Sequence, residues 1–157
     1  MDLKENTNQV FQQVTKAIQE TGREDGSVSV IAVTKYVDIA TAANLIDQGV
    51  KHIGENRVDK FLEKYHALSD KDVTWHLIGS LQRRKVKDII PYVDYFHALD
   101  SLKLAQEIQK RADRTVKCFL QVNISGEESK HGFSKEELLT VLPDLSSLDQ
   151  IEYVGLM

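Results

Sequence analysis

Apolar side chains recur along the chain with two periods, and the alternation between those periods predicts the fold. Leu3, Val10, Phe11, Val14, Ala17 and Ile18 fall at helical spacing, which predicts a helix over 3–21 that Gly22 stops. The next run, Val28-Ser29-Val30-Ile31-Ala32-Val33-Thr34-Lys35, is too continuously apolar for a strand with one wet face. It fits a parallel strand covered by helices. The same alternation then repeats. Asp38 caps a helix through Asp47, with Gly49 past its end, and His52–Asn56 is a short strand. A helix over 58–68 leads to the strand Val73–Gly79. A basic helix over 81–90, stopped by Pro91, leads to the strand Tyr95–Asp100. Ser101 caps a helix through Arg111, and Val116–Ile124 is a fifth strand. Ser134-Lys135-Glu136-Glu137 is a capping box opening a helix toward Leu142, and a sixth strand begins near Tyr153.

Strictly alternating strands and helices imply parallel pairing with right-handed crossovers. Two architectures satisfy this, an open doubly wound sheet and a (β/α)8 barrel. The open sheet calls for a glycine-rich turn after its first strand, yet Thr34-Lys35-Tyr36-Val37-Asp38 contains no glycine. Polar residues and glycine gather instead at the carboxyl ends of successive strands: Lys35, Asn56, Gly79, Asp100 and Asn123. A barrel builds its site from such positions, so an α/β fold of the (β/α)8 TIM-barrel type is expected. A complete barrel takes about 250 residues, whereas this chain has 157. The expectation is a single domain over 1–157, a barrel truncated after about its sixth strand; a small complete open sheet is the alternative. Two unpaired edges would then invite pairing or swapping.

Composition narrows the function. With 20 basic and 24 acidic residues the formal net charge is −4. That balance argues against sequence-independent nucleic-acid binding, which needs a clustered basic surface. No apolar run approaches the roughly 18 residues of a membrane helix, and the start does not read as a signal peptide. A cytoplasmic protein is expected. A single cysteine, Cys118, excludes an internal disulfide, and the five histidines show no paired spacing of the kind that holds zinc.

Lys35 is the most informative residue for chemistry. A lysine ending an apolar strand at a barrel mouth is expected to be desolvated, which lowers its pKa and frees the amine to form a Schiff base with an aldehyde. A lysine snorkelling to solvent is the other reading. In Gly54-Glu55-Asn56, glycine permits close backbone approach and the Asn56 amide can both donate and accept; the triplet is also an ordinary turn composition. His76 lies inside a strand among large apolar residues, as a hydrogen-bonded core residue or an acid–base group. Arg83-Arg84-Lys85-Val86-Lys87 is a basic run suited to an anionic partner or to a solvated helix face. The loop from Gly126 to Phe133 is polar enough for a functional connection or a plain linker.

Taken in order, these motifs are familiar. Ala32-Val33-Thr34-Lys35, Gly54-Glu55-Asn56, Trp75-His76-Leu77-Ile78-Gly79 with Leu81-Gln82, His97-Ala98-Leu99-Asp100-Ser101, Gln121–Glu127 through Lys130 and Gly132-Phe133, and Gly155-Leu156-Met157 together resemble the YggS/PROSC family of pyridoxal-phosphate homeostasis proteins. The resemblance implies a barrel like the N-terminal domain of alanine racemase. It implies pyridoxal 5′-phosphate held as a Schiff base on Lys35, with Asn56 and His76 beside the cofactor, in a protein that buffers or hands over the cofactor to accepting enzymes without turnover. A racemase-like enzyme using Lys35 is the alternative. The family's full-length members are expected to be monomers, and this chain to dimerise or swap. Arg83-Arg84-Lys85 departs from the Ser-Asn-Lys of many members. The family's phosphate-anchoring loops follow the Gly-Leu-Met strand and have no counterpart here, so these 157 residues are expected to hold the cofactor weakly or not at all.

Overall fold

In the computed structural model, which describes residues 2–157, helices and strands alternate from end to end. Helix α1 spans Leu3–Glu20, and the Asp2 carboxylate caps it by accepting from the backbone N–H of Lys4 and Glu5. There follow β1 (Ile31–Val33), α2 (Ile39–Asp47), β2 (His52–Glu55), α3 (Val58–Ala67), β3 (Thr74–Leu77), α4 (Val86–Ile89), β4 (Tyr95–Leu99), α5 (Leu102–Arg111), β5 (Val116–Leu120), α6 (Lys135–Ser146) and β6 (Ile151–Leu156). The expected caps are in place. Asp38 accepts from Thr41 N–H, Ser101 from Leu104 N–H and Ser134 from Glu137 N–H.

Among the described residues, six strands form one parallel sheet in the order β1-β2-β3-β4-β5-β6. This monotonic order decides between the two architectures. A doubly wound sheet must reverse its strand order to put helices on both faces, whereas right-handed crossovers between ever-advancing neighbours lay every helix on the same face. The wall of a (β/α) barrel has this arrangement. Helix-facing side chains make the core: Ile53, Trp75, Leu77, Phe96, Val116, Cys118 and Leu120 from the strands meet Phe61, Leu104, Ala105, Ile108 and Leu145 from the helices. Trp75 lies 5.5 Å from the rings of both Phe61 and Tyr65.

Four elements differ most from their sequence expectation. β1 and β5 are shorter than the apolar runs that signal them. The β5 run ends at Leu120 because Gln121 and Asn123 turn to pair with the Gly132–Phe133 segment, Phe133 N–H donating to Gln121 O and Asn123 N–H to Phe133 O. The basic stretch is not one helix. It is a 3₁₀ turn (Arg83–Lys85), the short α4 and a second 3₁₀ turn that contains Pro91, since Pro91 cannot donate to the preceding turn. α6 continues past Leu142 through Pro143; the carbonyl that proline leaves free belongs to the exposed Leu139, where water can reach it.

Phe61 is fully buried against Trp75 and stacks on Tyr65. Phe61→Ala should therefore lower the unfolding free energy by about 3–5 kcal/mol, read as a reduced urea midpoint with an unchanged m-value.

Candidate functional site

The carboxyl end of β1 is held by a buried polar cluster. Thr34 N–H donates to Gly54 O at 3.0 Å, its hydroxyl donates to the Glu55 carboxylate, and its carbonyl accepts from the Lys64 ammonium. Lys64 Nζ also pairs with Glu55 Oε2 at 2.9 Å, the two side chains being 5% and 0% exposed. Glu55 Oε1 is buried with no hydrogen-bond partner among the described residues. Lys35 comes next and points away from this cluster into solvent. Its Nζ sits 5.0 Å from the Tyr36 ring and enters no hydrogen bond or ion pair with the described residues. Of the two readings of Lys35, the exposed side chain is the one found, since β1 is an edge strand paired only with β2 among the described residues; the lysine withdrawn from water is Lys64.

Asn56 follows β2 directly and is half-buried. Its backbone is pressed against Gly79 at the end of the neighbouring strand, where a Cβ would stand 2.2 Å from Asn56 O and 2.9 Å from its carbonyl carbon. Only glycine allows that approach. Ile78 N–H donates to Glu55 O at 2.9 Å, locking the same two strand ends. Lys35, Asn56 and Gly79 therefore leave three adjacent strands at one end of the sheet, as barrel logic requires. The other two strand-end residues serve the loop. The Asn123 amide donates to Glu127 O and its Oδ1 accepts from Gly126 N–H, while Asp100 lies 3.9 Å from His131.

His76 is placed deeper than Asn56, in mid-strand and in register with Gly54. It is 3% exposed on the sheet face away from the helices. Its Nε2 lies 3.0 Å from His52 Nδ1 and its Nδ1 lies 2.9 Å from His97 Nε2, while its ring stacks on Tyr95 at 4.6 Å. Burial, then the charges of His97 and His52, push His76 down to about 3, and burial lowers His97 as well. Sequence reasoning weighed these histidines one at a time and missed their chain. The signal lay in parity: all three occupy the face opposite the core residues of three consecutive strands. Among the described residues no group of three or more His, Cys, Asp or Glu side chains is arranged to hold a metal ion. Cys118 is fully buried and its thiol is pushed up to about 12, so it is no nucleophile.

Comparison with known proteins bears on this arrangement. Residues 7–157 match the family described as alanine racemase, N-terminal domain. The chain is 36% identical to the pyridoxal phosphate homeostasis protein of Aquifex aeolicus, over all of this chain and 70% of that protein. The chain belongs to the pyridoxal phosphate homeostasis protein family. Its Escherichia coli K12 member is 30% identical, across 99% of this chain and 69% of its own length. Among solved structures, PipY of Synechococcus elongatus PCC7942 with PLP bound is similar at 33% identity and TM-score 0.79, covering 91% of this chain and 68% of PipY. Alanine racemase of Clostridium difficile, 17% identical with a TM-score of 0.67, shares the fold over 85% of this chain and 36% of its own. No helix among the described residues is long and apolar enough to cross a membrane.

Two outcomes test this geometry. A group whose folded pKa is depressed stabilises the fold above its unfolded value and loses that contribution as the pH falls. His76 should therefore contribute fully above pH 6.5 and progressively less toward pH 3. In urea unfolding at a series of pH values, His76→Gln should flatten the acid loss of stability that the parent shows in that window. Gly79→Ala should cost about 1–3 kcal/mol by overpacking, with the largest amide chemical-shift changes at Asn56 and Arg57.

Proposed function

We propose that this chain binds pyridoxal 5′-phosphate at the carboxyl ends of β1–β3 and holds it as a Schiff base on Lys35 without turnover, as a reservoir from which enzymes that need the cofactor draw it. The observation that carries the reading is Lys35 itself: a primary amine, free of any ion pair among the described residues, projecting from an anchored turn on the rim of a parallel sheet. The family membership and the cofactor named in the PipY structure support the same reading.

The donor set at these strand ends fits one end of such a ligand. Lys35 supplies the nucleophile, whose neutral amine adds to an aldehyde carbon with loss of one water. Asn56 supplies an amide able to donate to or accept from the ring substituents. His76 serves from behind, as a neutral ring fixed between His52 and His97. When bound, the cofactor contributes an electrophilic aldehyde on an electron-withdrawing ring. Exposure of Lys35 suits a reversible linkage that water and acceptor proteins can reach.

The decisive measurement is an absorbance spectrum in the presence of pyridoxal phosphate and again after the excess is removed. A band near about 420 nm that fades on removal, with a mass adduct on Lys35 when borohydride is added beforehand, is expected in the parent and should be absent in Lys35→Ala. A Lys35→Ala chain retaining the band would sink the assignment. In deuterated water, the α-hydrogens of amino acids should exchange no faster with the loaded protein than with free cofactor; faster exchange abolished by Lys35→Ala would establish the racemase-like reading instead.

A further inference from the structure

We infer that Glu55 and Lys64 are positioning residues for Lys35: a buried ion pair between β2 and α3 that grips Thr34 by both hydroxyl and carbonyl, and so fixes where the Lys35 side chain departs. The inference builds on the assignment of Lys35 as the cofactor-linking residue.

Every polar atom of Thr34 is committed. Its N–H goes to Gly54 O and its hydroxyl to Glu55, while its carbonyl takes Lys64 Nζ as well as Val37 N–H at 3.2 Å. Four residues later the turn is held again, where Asp38 Oδ1 accepts Thr41 N–H at 2.8 Å. Between those clamps, Lys35, Tyr36 and Val37 are exposed and have no side-chain hydrogen bonds among the described residues. The conformation at Lys35 is therefore inherited from Thr34. Lys35, Asp38 and Lys64 also line a common groove of about 580 Å³ between this turn and α3.

The energetics point the same way. Burying two charges is costly, and apolar replacements of a buried ion pair are often as stable or more so. Here the arrangement is costlier still, because Glu55 Oε2 serves both Thr34 and Lys64 while Oε1 stays unpartnered. A pair serving stability alone has little reason to spend a carboxylate that way. A pair serving orientation does, since a charged donor and a charged acceptor close on one residue from two elements and leave it a single geometry.

Removing one charge would strand the other and unfold the chain, so the test uses Glu55→Gln/Lys64→Met together and, separately, Thr34→Val with Thr34→Ser as the conservative rescue. Three readouts are compared with the parent: the urea midpoint, backbone ¹⁵N order at Lys35–Val37, and trapping of pyridoxal phosphate by cyanoborohydride on Lys35 relative to the exposed Lys60. The double variant should keep a midpoint near that of the parent. Its order parameters should fall from about 0.85 toward 0.6, and its Lys35-to-Lys60 trapping ratio should fall about tenfold or more. Thr34→Val should move in the same direction and Thr34→Ser should recover. A double variant that keeps both the order and the trapping ratio overturns the inference, as does a Thr34→Val chain that behaves like the parent. If the parent traps no more on Lys35 than on Lys60, the cofactor assignment fails, and the order measurements alone still decide whether Glu55 and Lys64 position the turn.

Discussion

Parallel strands laid down in chain order, each joined to the next by a right-handed crossover, leave the helices only one face of the sheet to cover. From that constraint the division of labour in this protein follows. The covered face is apolar and closely packed, from Ile53 through Trp75, Phe96 and Cys118 to Ile151. The other face must be furnished by the strands' own side chains, and it carries His52, His76, Tyr95, His97 and Phe119 in mutual contact. At the carboxyl ends of the strands Lys35 is exposed and Asn56 half-buried, its backbone packed against Gly79.

Much of this was legible in the amino-acid sequence, and the parts that were not have physical reasons. Apolar period marks an element well when one side of it is buried, so α2, α3, α5 and each of the six strands could be placed within a few residues. The stretch over 81–92 could not, because a helix and a pair of 3₁₀ turns bury Val86, Ile89 and Ile90 with nearly the same spacing. Lys35 and Asn56 stood out because polar residues at the ends of apolar runs break a pattern. Glu55 and Lys64 did not stand out. Nothing in a glutamate next to a turn, or a lysine inside an otherwise amphipathic helix, announces that the two are drawn together under the sheet edge. Of the two readings that Lys35 allowed from sequence, withdrawal from water and a side chain reaching out to solvent, the chain adopts the second.

The contrast between the two lysines organises the site. Lys64 is buried, paired and committed to Thr34, while Lys35 is exposed and uncommitted one residue further on. A buried ammonium and an exposed amine thus stand on either side of the same anchored strand end.

The three-histidine chain carries a consequence of its own. Each neutral imidazole has one N–H to give and one bare nitrogen to receive, so the contacts His52–His76 and His76–His97 must point the same way when all three rings are neutral. Either every proton faces β4 or every proton faces β2. The tautomer of His97 is therefore tied to that of His52 across three strands, and a substitution or ligand that fixes the proton at one end sets the hydrogen-bonding sense at the other with no movement of the backbone.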